Sequence, residues 1–114
     1  MITHLQCVNI SSKDPRALAG FYRTIGAPVY VQDENYDGWY LANTPDRGIC
    51  VWDESKWGKS TAGYITIVFN TDDIRKTYDE LLAKGLQIEP PRTADWGGQE
   101  LVFPDPDDNM VMLL

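Results

Sequence analysis

Leu5 to Ile10 is a short apolar, β-branched run, and Ser12-Lys13-Asp14-Pro15 then supplies a capping side chain with proline at the first helical position. A helix is predicted from Asp14 to about Ile25. Leu18, Phe21, Tyr22 and Ile25 fall on one helical stripe, and Gly26 stands where a terminating glycine is expected. Three extended segments follow, Pro28-Val29-Tyr30-Val31, Trp39-Tyr40-Leu41-Ala42 and Ile49-Cys50-Val51-Trp52, separated by turn-rich stretches. Gly63 to Phe69 opens a second series. Asn70-Thr71-Asp72-Asp73 caps a helix with Ile74, Tyr78, Leu81 and Leu82 on its apolar face, and Gly85 ends it. Leu86-Gln87-Ile88, Gln99 to Phe103 and Met110 to Leu114 read as strands. The order β-α-β-β-β occurs twice.

The identities keep step with this order. Asp14, Arg16 and Gly26 recur as Asp73, Arg75 and Gly85, each 59 positions later. Gly38 with Leu41 recurs as Gly98 with Leu101 at 60, and Pro45-Asp46 as Pro106-Asp107 at 61. A duplicated α+β domain is therefore expected over residues 1–114, with halves at 1–53 and 63–114.

Ten basic against seventeen acidic residues give a net charge of -7, which repels nucleic-acid backbones and anionic lipid. No nucleic-acid or membrane partner is expected. The start, Met1-Ile2-Thr3-His4-Leu5, lacks the basic and apolar regions of a secretion signal, so a cytoplasmic location is expected. Cys7 and Cys50 are too few and too far apart for a disulfide framework or a zinc motif. One histidine cannot serve a Ser-His-Asp set, and no phosphate loop is present. No catalytic residue is assigned.

The strand leading to Asp14, the Phe21-Tyr22 pair and Gly26 resemble the first half of the vicinal-oxygen-chelate superfamily, which includes glyoxalases, bleomycin-resistance proteins and extradiol dioxygenases. Phe103-Pro104-Asp105-Pro106-Asp107-Asp108-Asn109 resembles that family's turn before the last strand. Asp108 stands where the turn most often has glycine, and a left-handed backbone is expected there. The resemblance spans the whole chain and implies two βαβββ modules forming a curved mixed sheet with a concave cup.

It also implies four places for metal ligands. Counting from Asp14, Asp73 and Asn109, and by a repeat offset of 61, these are Cys7, Thr66, Met112 and Val51. Hard and borderline divalent ions are held by carboxylate oxygen or imidazole nitrogen, and none of the four supplies either. No metal and no cofactor are expected. His4, by strand alternation, should point away from the face of Cys7.

Metal-free members of the family resembling bleomycin-resistance proteins dimerise and hold planar or cationic antibiotics between aromatic side chains. By that resemblance Cys7, Asn9, Val51, Asp53, Tyr64, Thr66, Met110 and Met112 would line the cup, with Trp39, Trp57 and Trp96 at its rim. Trp52, next to Val51, would instead pack between sheet and helix. The expected function is binding or sequestration of an aromatic or cationic small molecule by a homodimer. The alternative is a lyase, isomerase or dioxygenase with a displaced metal site.

Overall fold

The computed structural model describes residues 1–114. The chain divides into two compact units, Met1–Ala62 and Gly63–Leu114. In the first, β1 (Val8–Ser12) is followed by α1 (Pro15–Thr24), β2 (Trp39–Leu41), β3 (Ile49–Asp53) and a short α2 (Glu54–Trp57). In the second, β4 (Thr66–Phe69) is followed by α3 (Ile74–Ala83), β5 (Arg92–Thr93), β6 (Gln99–Pro104) and β7 (Met110–Leu113). Both main helices begin where the capping signals place them. The Asp14 carboxylate accepts from the Ala17 N–H at 3.0 Å, and the Asp73 carboxylate accepts from the Lys76 N–H at 3.0 Å, each satisfying an orphan donor of the first turn.

Each unit carries one mixed sheet, ordered β1-β3-β2 in the first and β4-β7-β6-β5 in the second. In both, the first strand runs parallel to the last full strand, which pairs antiparallel with the strand before it in sequence. The architecture is α+β with two mixed sheets.

Two expected strands are reduced. Pro28–Val31 contributes only an isolated bridge from Tyr30 to Tyr40, because Pro28 has no N–H to donate. Leu86–Ile88 forms no strand, and the edge pairing falls further on at Arg92–Thr93, past the Pro90-Pro91 pair. Asp53–Gly63 also holds a turn of helix that periodicity did not signal. The Asp53 carboxylate caps it by accepting from the Ser55 N–H and hydroxyl, and Gly58 closes it in a left-handed conformation.

Side-chain alternation gives each sheet one face towards its helix. In the first unit Ile10, Val51 and Trp39 are register partners, and all three are buried with Leu18, Ala19 and Tyr22 of α1. The Tyr22 and Trp39 rings lie 6.5 Å apart. In the second unit Ile67, Val111 and Phe103 form the corresponding row, next to Leu101 and Leu113, with Leu81 of α3 buried against them. These rows are the two hydrophobic cores.

Candidate functional site

The faces turned away from the helices carry the candidate chemistry. In the first unit Asn9, Cys50 and Tyr40 are register partners across three strands, and Ser11 pairs with Trp52 in the next row. Cys7 belongs to the same face, since its thiol lies 3.6 Å from the Asn9 side-chain oxygen. The Tyr40 hydroxyl donates to Asp46 at 3.0 Å, and the Gln6 amide donates to the same carboxylate oxygen at 3.1 Å. At one end, Ser11 is covered by the segment after α2: its hydroxyl donates to the Lys59 carbonyl at 2.6 Å, and its N–H donates to the Thr61 hydroxyl.

Burial pushes the Cys50 thiol up to about 11. The neighbouring Cys7 and the Asp46 and Asp37 carboxylates add to the rise, while a hydrogen bond from Tyr40 opposes it. Burial also pushes the Tyr40 phenol up to about 12, reinforced by its bond to Asp46. Both groups therefore keep their protons at neutral pH. At the start of β2 the Asp53 N–H and the Lys56 ammonium hold Asp37 below the usual carboxylate range, each at 3.0 Å.

In the second unit the helix-free face has two rows. Thr66, Met110 and Pro104 share one; Val68, Met112 and Val102 share the other. This surface is open, with Val68 51% and Met110 37% exposed. Further along β6 on the same face, the Glu100 carboxylate is buried and accepts from Arg92 at 2.8 Å. Arg92, Glu100 and Trp96 help line a cavity of 450 Å³ at the β5–β6 hairpin.

Indoles sit on glycines in both units. The Trp52 ring lies over Gly38, 3.4 Å from where a Cβ would stand, and the Trp96 ring lies so close over Gly98 that a methyl there would overlap it. At Gly98 only a residue without a side chain permits the approach, whereas at Gly38 a Cβ would be in ordinary contact and it is the left-handed backbone, φ 79°, that favours glycine. Both indoles are held as presented surfaces, Trp96 64% and Trp52 37% exposed.

Of the residues expected to line or rim a site, Cys7 and Asn9 lie together on the helix-free face of the first unit, and Thr66, Met110 and Met112 lie together on that of the second. Tyr64 stands fully in solvent just before β4, and Trp57 is a half-exposed residue at the end of α2. Four expectations are corrected. Val51 and Trp39 face α1 and are buried in the core, so neither can line or rim an open surface. Asp53 is occupied in capping α2. Trp52, expected between sheet and helix, is on the open side.

For Val51, Asp53 and Trp52 the error has one cause, a slip of one residue in the repeat. Asp46 and Asp108 both adopt left-handed φ values, 60° and 61°, so they occupy the same place before β3 and β7. Strand pairing agrees: Thr66 pairs with Met110, and Cys7, its counterpart, lies one residue before the Val8–Ile49 pair and so opposite Gly48. Met112, two residues past Met110, thus corresponds to Cys50 rather than Val51. Because strand side chains alternate, one residue of slip moves a position to the other face. Cys50 and Trp52 were missed for that reason, and the two left-handed aspartates are the signal that corrects it; Tyr40 joins them only through its pairing with Cys50.

The residues at the four corrected places are Cys7, Cys50, Thr66 and Met112, which still supply no carboxylate or imidazole. No group of three or more His, Cys, Asp or Glu side chains is arranged to hold a metal ion. The donors present do not fit a hard or borderline divalent ion.

A family model described as the glyoxalase/bleomycin resistance protein/dioxygenase superfamily matches residues 2–113. The chain belongs to this superfamily. Solved structures share the fold. A bleomycin-binding protein complexed with bleomycin is 21% identical with a TM-score of 0.67, covering 97% of each chain. A virulence protein from Salmonella typhimurium is 21% identical at 0.72, over 99% of this chain and 96% of the other. A lactoylglutathione lyase from Agrobacterium tumefaciens is 14% identical at 0.73, over 99% and 93%. No curated protein sequence matches the chain. No helix is long and apolar enough to cross a membrane.

Proposed function

We propose that this superfamily member binds an aromatic or cationic small molecule on its helix-free sheet faces, without the divalent ion its fold commonly carries. One observation carries the reading: the four ligand places hold two thiols, a hydroxyl and a thioether, while Trp52 and Trp96 are each presented on a glycine. A planar ligand gains area by stacking on an indole, and a cation adds roughly 0.5 to 2 kcal/mol per aromatic contact. Candidate contacts are Cys7, Asn9, Tyr40 and Trp52 in the first unit, and Thr66, Met110, Met112 and Trp96 in the second. The net charge of -7 favours a cationic ligand over an anionic one. A homodimer in the cytoplasm is the proposed setting.

Bleomycin is a suitable first probe, because the structural relative that binds it shares the fold over nearly the whole chain. Titration followed by tryptophan fluorescence should show saturable quenching that Trp52→Ala and Trp96→Ala each weaken. Absence of saturable quenching by bleomycin and by a panel of planar cations would overturn the proposal.

The enzyme alternative would draw on Cys50, Tyr40 and Asp46. With the thiol and phenol held protonated well above neutral pH, neither is suited to act as a base or nucleophile there.

A further inference from the structure

Arg16 and Arg23 are exposed on α1, seven residues and so about two turns apart on one face, and both guanidinium groups gather on Tyr36. The Arg16 guanidinium lies 4.5 Å, and that of Arg23 5.7 Å, from the centre of the Tyr36 ring. Arg16 also donates to the Glu34 carbonyl at 2.6 Å, and Arg23 donates to the Tyr36 hydroxyl at 3.1 Å. These contacts hold Tyr36 in a left-handed backbone, φ 57°, which a bulky side chain rarely adopts.

Acidic residues outnumber basic ones by seventeen to ten, yet neither arginine takes a carboxylate as partner: the ion pairs belong to Lys56, Lys76 and Arg92. Each guanidinium is fixed in place with most of its N–H donors still unused. Arg16 and Tyr36 line a cavity of 620 Å³ together with Asp33 and Glu34. Asp33 uses one carboxylate oxygen to accept from the Asn35 N–H at 2.9 Å, and the Glu34 carboxylate forms no ion pair. Groups of opposite charge therefore share one cavity without pairing across it. A simple anion there would meet two carboxylates, and a simple cation would meet the guanidinium. A ligand carrying both charges satisfies both sets.

We propose that this cavity binds a free α-amino acid as its zwitterion. Its carboxylate takes the N–H fork of Arg16, and its ammonium group faces Asp33 and Glu34. Arg23 keeps the Tyr36 ring in position. The site lies beside α1, apart from the helix-free sheet faces, and does not rest on the aromatic-ligand proposal.

Isotope-labelled protein is titrated with glycine, L-alanine and L-glutamine, and with acetate and ethylammonium as single-charge controls, while amide chemical shifts are followed. Because exposed ion pairs are weak, saturation is expected at roughly millimolar amino acid, with shifts centred on Arg16 and residues 31–36. Acetate and ethylammonium should each bind at least about tenfold more weakly, and Arg16→Gln should abolish saturation. Glu34→Gln should weaken amino-acid binding about threefold and strengthen acetate binding, an inversion that a merely structural role would not produce. If Arg16→Gln disturbs the loop, Glu34→Gln, at an exposed residue whose carboxylate pairs with no cation, carries the decision. Three results overturn the site: no saturable shift with any of the amino acids, acetate binding as tightly as they do, or Glu34→Gln leaving both affinities unchanged.

Discussion

The two helix-free faces share strand order and register but not chemistry. In the first unit the face is polar and partly covered: Cys50 is buried, Tyr40 is tied to Asp46, and the Lys59–Thr61 segment closes over Ser11, while Asn9 and Trp52 stay exposed. In the second it is mostly aliphatic and bare, with Thr66, Val68 and Met110 open, Met112 half-buried and the buried Glu100 set to one side. The backbone that presents these side chains is the same in both, so the duplicated scaffold does not decide what either face can hold. Each face is specified by a handful of alternate strand positions, which can change without touching the core row one residue away.

The largest effect should separate core row from open row. Trp39→Ala, which empties a fully buried indole site, is expected to cost ~3–5 kcal/mol in urea unfolding, while Val68→Ala on the exposed row should cost under ~1 kcal/mol. Comparable losses from both would mean that the second face is covered and the contrast between the faces is wrong.

A smaller effect distinguishes the two units by pH. Cys50 and Tyr40 hold their protons more tightly in the folded chain than in the unfolded one, at about 11 and about 12 against ordinary values of 9.0 and 10.0. The unfolded chain loses these protons first, so stability is fully present below about pH 9 and is lost as pH rises through about 11 and 12. Hydrogen exchange should show β3 loosening over that window while β7, whose open face has no thiol or phenol, stays protected. Equal loosening of β3 and β7 would remove this distinction.

The smallest effect on stability, but a clear local one, is expected from Gly98→Ala. The added methyl must displace the Trp96 ring, and because that ring is largely in solvent the cost should stay within ~1 kcal/mol. The change should appear as altered tryptophan fluorescence and weaker ligand quenching. Unchanged fluorescence would show that the indole is not held on the glycine.

Periodicity and capping residues determined the two main helices and the strands that form the core rows. Asp14-Pro15 with Gly26, and Asp73 with Gly85, mark helix ends by satisfying or terminating local hydrogen bonds, and such interactions depend only on neighbours in sequence. The lack of carboxylate and imidazole at the family's ligand places was also legible, because it follows from residue types and survives the shift from Val51 to Cys50. Which residues share a face was not. That depends on strand register, where a single inserted residue in a loop inverts every side chain after it, and the register was fixed only by long-range pairing of β1 with β3 and β4 with β7. Tertiary structure likewise decided that Trp39 is core, Trp52 is surface, and Cys7 and Cys50 are neighbours, since packing against α1 fixes which side of the first sheet is inward.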